Sequence, residues 1–125
     1  MKVTLTRKES EDLFHTSLCS GLGYIGGYGL KLDYSNSDYK NAKSKLDSPC
    51  YEDVLMQILK DGGKLNLVDY EYDGEYSKTI TLKDVHTMVQ ETPLFHLLDA
   101  INENDDAYTA DVILQTVFFG EVIFG

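Results

Sequence analysis

Apolar residues recur along this chain at two spacings, every three to four residues and every second residue, and the alternation of the two lays out its elements. Thr6 stands three residues before Glu9, the capping-box spacing in which each side chain satisfies the other residue's free amide. Behind that cap Leu13, Phe14, Ser17, Leu18, Gly21 and Leu22 share one side of a helix, which Gly21 is placed to end. The opening "MKVTLT" alternates weakly, as an edge strand would. "YGLKLDY" alternates strictly, with Tyr28, Leu30, Leu32 and Tyr34 on one face and Gly29, Lys31 and Asp33 on the other, the period of a half-buried strand. Residues 35–47 are polar and read as a loop or a short exposed helix. Ser48-Pro49 supplies an N-cap and a proline for the first position of the next helix. On that helix Tyr51, Val54, Leu55, Ile58 and Leu59 repeat until Gly62-Gly63.

Residues 64–82 predict a hairpin. Asp73-Gly74 is a favoured pair for a two-residue type I′ turn, because both positions need positive φ. Pairing outward from it sets Asp69 opposite Lys78, Leu67 opposite Ile80 and Leu65 opposite Leu82. Thr81 with Asp84 opens another helix, and Thr92-Pro93 starts a further one with Leu94, Leu97, Leu98 and Ile101 on its core face. After the loop "NENDDAY", Thr109 is placed to cap a last apolar helix that Gly120 ends, and "EVIFG" finishes as a strand docked on the sheet. This order predicts one α+β domain over residues 1–125, a small, mainly antiparallel sheet against four to five helices.

A chain of 125 residues can bury an ordinary core, and 42% apolar with 26% charged residues fits a soluble globular domain. No stretch approaches a membrane span and the N-terminus carries no apolar leader core, so a cytoplasmic protein is expected. Cys19 and Cys50 form no disulfide framework and are expected as buried free thiols.

Charge changes the picture more. The net charge is −10, and all 11 Lys and Arg lie at or before Lys83. Beyond it stand Asp84, Glu91, Asp99, Glu103, Asp105, Asp106, Asp111 and Glu121, with no Lys or Arg among them. Such a half repels phosphate, which argues against direct nucleic-acid or anionic-membrane binding and for a protein partner with a basic surface.

Four stretches offer candidate chemistry. Gly21-Leu-Gly23-Tyr-Ile-Gly26 has the spelling of a dinucleotide-binding loop, but that loop needs a strand before it and a helix after it, and here the order is reversed. The segment reads as a tight helix-to-strand connection. The alternative is a ligand-facing loop, 21–29, in which Tyr24 and Tyr28 stack on a nucleotide-like molecule. In "DYEYDGEY", Asp69, Glu71, Asp73 and Glu75 alternate with Tyr70, Tyr72 and Tyr76, either a solvated outer surface or an acidic, aromatic contact for a cationic partner. "NENDDAYTADV" lacks the glycine and terminal acid of a calcium loop, so Asp105, Asp106 and Asp111 are expected to lead into and charge the first turn of the last helix. His15 and Cys19, four apart on one helix, have no further ligand near them in the sequence, and no metal or cofactor is expected.

The ending "TADVILQTVFFGEVIFG" resembles that of small acidic proteins encoded by bacteriophages and prophages, as do "GLGYIGGYG" and "DGGKLNLVD". The resemblance implies a mobile-element accessory protein and carries over no functional residue. The expected function is therefore a non-enzymatic interaction module, an inhibitor or a mimic of nucleic-acid charge. Asp69, Tyr70, Glu71, Tyr72, Asp73, Glu75, Asp105 and Asp106 would form its contact surface, and a nucleotide-like binder using Tyr24 and Tyr28 is the alternative.

Overall fold

A computed structural model of the chain describes residues 3–104 and 106–125. The elements run α1 (Arg7–Gly27), β1 (Leu30–Asp33), α2 (Asn36–Ser44), α3 (Tyr51–Lys60), β2 (Leu65–Asp69), β3 (Lys78–Ile80), α4 (Leu82–Met88), a 3₁₀ turn (Val89–Glu91), α5 (Leu94–Ile101) and α6 (Ala107–Phe119). The three strands form one antiparallel sheet in the order β1-β2-β3. The fold is α+β, with one helix more than the longest expected set because residues 36–44 take the helical alternative.

Helix α6 is the centre of the molecule. Every residue from Thr109 to Phe118 is buried, as befits a helix that is apolar nearly all round and walled on all sides. α1 crosses it most closely, and Gly21 makes that approach possible. A Cβ on Gly21 would lie 2.9 Å from Leu114 Cδ1, 3.0 Å from Ala110 C and 3.1 Å from Asp111 N. Gly21 therefore does not end α1, as expected from its residue type. The helix runs on through Gly23 and Gly26 to Gly27, and Gly29 at φ +84° starts the chain into β1. Phe14, Leu18 and Ile25 of α1, Leu55 and Ile58 of α3, and Leu65 and Leu67 of β2 complete the core.

Several boundaries move for local reasons. α3 starts two residues later than Ser48-Pro49 suggests, because Ser48 sits at φ +47°, outside the extended region of an N-cap. Asp53 Oδ2 instead accepts the Cys50 N–H, at 3.1 Å. α6 is capped by Asp106 rather than Thr109: Asp106 Oδ1 accepts the Thr109 N–H at 2.9 Å. On α5, Leu97 is buried, but Leu94, Leu98 and Ile101 stay exposed, since the helix turns only its Leu97–Ala100 edge inward. Neither "MKVTLT" (from Val3 on) nor "EVIFG" pairs as a strand. Both cysteines are exposed rather than buried.

The hairpin keeps its faces but not its register. Leu65 lies opposite Ile80, Asn66 opposite Thr79 and Leu67 opposite Lys78. That is a slip of two from the expected pairing, which leaves every side chain on its own face. Asp73 and Gly74 do take positive φ, +55° and +81°, but the strands stop short of them and residues 70–77 form a longer loop.

Candidate functional site

The loop owes its shape to Asp69. Placed on the inward face of β2, this residue is 5% exposed. Its Oδ1 accepts the N–H of Glu71 at 2.9 Å and of Tyr72 at 2.8 Å, and Oδ2 accepts the N–H of Tyr76 at 3.1 Å. Ser77 Oγ accepts the Asp69 N–H, at 3.0 Å. Burial pushes the Asp69 carboxyl upward in pKa, but the N–H donors of Tyr72, Tyr76 and Glu71 outweigh it and hold the group below its ordinary value of 3.8. Asp69 is therefore no part of a contact surface, as its place in the sequence suggested. It anchors the loop from beneath.

Two consequences can be measured. Asp69→Ala leaves three loop amides without their acceptor and is expected to lower the melting temperature by roughly 5–10 °C while opening the loop to protease. Because the folded carboxyl is held low, its contribution is complete above pH 3.8 and drains away as pH falls further through the folded value. Thermal melts of the wild type between pH 5 and 2 should show an acid slope that Asp69→Ala flattens.

What the loop presents is acidic and aromatic. Tyr70 is 69% exposed and Tyr72 45%, and Glu71, Asp73 and Glu75 are exposed around them. None of these acids enters an ion pair among the described residues. Tyr76 turns inward, edge-on to Tyr72, Phe119 and Phe124.

Phe124, from the chain's last residues, joins this loop to the glycine segment. Its ring stacks on Tyr28 at 4.9 Å between centroids and meets Tyr72 at 5.9 Å. The Tyr28 hydroxyl donates to Asp111 Oδ2 at 2.6 Å, and burial first, then that carboxylate, pushes its pKa up, so it remains a donor. Gly29 closes the junction, its carbonyl accepting the Tyr70 N–H at 3.0 Å while a Cβ there would collide with Glu71. Two stretches 42 residues apart in sequence, around Tyr28 and Tyr70, thus form one continuous face.

Beyond Tyr28 the face continues into a shallow, mostly apolar groove of about 460 Å³, lined by Ser20, Gly23, Tyr24, Gly27, Tyr28 and Ala107. Tyr24 is 44% exposed there. The glycines lie within α1, so their amides are committed to helical hydrogen bonds, and the negative end of the α1 dipole points this way. Neither feature suits a phosphate. Tyr28 has given one ring face and its hydroxyl to the protein, which leaves Tyr24 as the aromatic side chain still open to a ligand.

Asp106 reaches this region as the exposed cap of α6, and Asp105 lies outside the described residues. Asp111, expected in the first turn, is fully buried within α6 and held by Tyr28 and by Gln115 Nε2. Asp84 is likewise spent on the fold, accepting the Thr81 N–H at 2.8 Å. The acidity of the last third is therefore partly internal, with Asp111 and Asp84 taken up by the fold and Glu91, Glu103, Asp106 and Glu121 left at the surface.

Comparison of the chain with protein-family models, curated proteins and solved structures finds no match. No helix is long and apolar enough to cross a membrane among the described residues.

A second set of clustered polar side chains escaped the sequence. His15 Nε2 lies 2.8 Å from Asp53 Oδ1 beside Cys50, and His86 Nε2 lies 2.7 Å from Glu11 Oε2. The i, i+4 pair His15 and Cys19 was the visible signal. The partners of His15 come from the start of α3, 35 and 38 residues away, and the α1–α3 packing brings them in, while His86 of α4 meets Glu11 where α4 packs on α1.

Proposed function

We propose that this protein is a non-catalytic interaction module that captures a protein with a basic surface through the tyrosine-bearing acidic loop 70–76. The observation that carries the proposal is an exposed Tyr70 and Tyr72 on a loop pre-shaped by the buried Asp69 carboxylate, beside Glu71, Asp73 and Glu75, none of which enters an ion pair among the described residues. Tyrosine gives large contact area with few rotors to freeze, and a loop already fixed loses little entropy on binding. The unpaired acids steer a cationic partner and disfavour phosphate. A surface of this kind suits an inhibitor or a mimic of nucleic-acid charge, in keeping with an accessory protein of a phage or prophage acting in the host cytoplasm.

The test is capture by the immobilised protein from an infected or host lysate. Tyr70→Ala is expected to weaken the captured complex by roughly 30-fold or more, the loss of a central aromatic contact. Glu71→Lys with Glu75→Lys should slow association about tenfold or more and remove its salt dependence. Asp33→Lys, an exposed acid on β1, serves as the remote control. Equal capture by all three variants would overturn the proposal.

The groove beside Tyr24 supports a second reading, a small planar ligand stacked on that ring. A thermal-shift screen of nucleobases and nucleosides tests it, and a Tyr24→Ala variant that keeps any shift would end it.

A further inference from the structure

Away from the tyrosine face, three side chains of different ligand chemistry meet where α1 passes the start of α3. His15 comes from the middle of α1, and Cys50 and Asp53 are the N-cap and third residue of α3. Each brings one ligand atom, and the three atoms lie within 4.8 Å of one another. Asp53 is already aimed: Oδ2 accepts the Cys50 N–H at 3.1 Å, while Oδ1 faces His15 Nε2 at 2.8 Å. The His15 and Asp53 side chains are about one-third to two-fifths exposed and Cys50 is exposed, so an ion can enter from solvent. His15 and Asp53 also line a groove of about 290 Å³, with Glu11, Asp12 and Asp47 in its wall against a single lysine, Lys60, which lies 3.9 Å from Glu11 Oε1. That excess of carboxylates attracts a cation.

We propose that His15, Cys50 and Asp53 bind one divalent transition-metal ion of the zinc class, with water completing a tetrahedral shell. Zinc takes imidazole nitrogen at about 2.0–2.1 Å, thiolate sulfur at about 2.3 Å and carboxylate oxygen at about 2.0–2.2 Å. Ligand atoms of a tetrahedral ion at those lengths stand roughly 3.3–3.8 Å apart. A triad already within 4.8 Å reaches that geometry by side-chain rotation. The His15–Asp53 hydrogen bond widens by about half an ångström as the metal takes the place of its proton. Thiolate and imidazole together select against calcium and magnesium, which prefer an all-oxygen shell. On binding, the Cys50 thiol proton passes to solvent and His15 coordinates through Nε2 as the neutral ring, its proton on Nδ1, so affinity rises with pH. Cys19, one helical turn beyond His15, lies close enough to Cys50, Glu52 and Asp53 for their charges to act on its thiol, and is the other sulfur the test must separate.

The experiment uses the full chain under a non-thiol reductant, with zinc, cobalt(II), calcium and magnesium as probes. Free zinc roughly a hundredfold above its Kd should raise the melting temperature by roughly 5–10 °C, and calcium and magnesium should not. Cobalt(II) should give a thiolate-to-metal charge-transfer band. Cys50→Ser should abolish that band and Cys19→Ser should keep it. Cys50 and Asp53 also cap α3, so His15→Gln, which caps nothing, is the variant whose loss of binding is not a loss of fold. Binding should weaken at least tenfold in it. No zinc shift, a shift unchanged by His15→Gln, or a band that follows Cys19 instead of Cys50 would each overturn the proposal.

Discussion

Replacing Gly21 with leucine is expected to destabilise the protein by about 3 kcal/mol or more, although leucine is the far better helix former. The reason is the crossing of α1 over α6. A methyl group alone would meet the α6 backbone at Ala110 C and Asp111 N, 3.0 and 3.1 Å away, and backbone inside a buried helix cannot yield as a flexible side-chain end does. Gly21→Ala sets two effects against each other. Helix propensity favours alanine by about 1 kcal/mol, while overpacking costs about 1–3 kcal/mol, so a net loss is expected. Gly23, on the same helix, has nothing within 4 Å of its would-be Cβ. Gly23→Ala should therefore stabilise by about 0.5–1 kcal/mol. Opposite signs for the same substitution two residues apart, read by chemical denaturation, would establish that contact with α6 governs Gly21. A stabilising Gly21→Ala would refute it.

Gly21 also marks where sequence rules ran out. A glycine after an apolar helical stretch signals a stop, and nothing local distinguishes it from a glycine that a neighbouring helix requires. The caps were legible at Thr6 and Thr81 because capping is a three-residue affair. The hairpin was legible in parity, since alternation fixes faces, but a slip of two changes no face and left the register open. What settled the register was Asp69 turning its carboxylate inward to collect loop amides, a use that an acid in "DYEYDGEY" does not advertise. The acidic tyrosines of the loop were visible at once. Their union with Tyr28 was not, because it runs through Phe124, whose tail alternates like a strand while its backbone is held by a side chain. His15, Cys50 and Asp53 stayed hidden for a kindred reason: two helices supply them, and spacing within one helix cannot show it.

That side chain, Gln115, carries the second large effect. It is fully buried on α6 and holds the tail as a binding site holds a peptide. Its Oε1 accepts the N–H groups of Ile123 and Phe124 at 2.8 and 2.9 Å, and its Nε2 donates to Phe124 O at 3.0 Å and to both oxygens of Asp111. Gln115→Leu keeps the volume and removes every one of these bonds. Each buried amide left unpaired costs about 1–3 kcal/mol, so the tail should leave for water, and the loss is capped near 3 kcal/mol by that escape. Undocking withdraws Phe124 from Tyr28, Tyr72 and Tyr76, which tyrosine fluorescence can follow because the chain has no tryptophan. Carboxypeptidase should then trim residues 121–125 that it spares in the wild type. Partner capture should weaken with it, since Tyr72 loses its backing. Gln115→Glu sharpens the argument through its sign. It keeps one acceptor for the tail but sets a second carboxylate against Asp111, and like charges at that distance raise the affinity for a shared proton. Its stability should be poorest at pH 7 and recover as the pH falls and the pair takes up that proton. If Gln115→Leu instead melts like the wild type with its tail protected, the aromatic cluster alone holds the C-terminus, and the face it supports is sturdier than its hydrogen bonds imply.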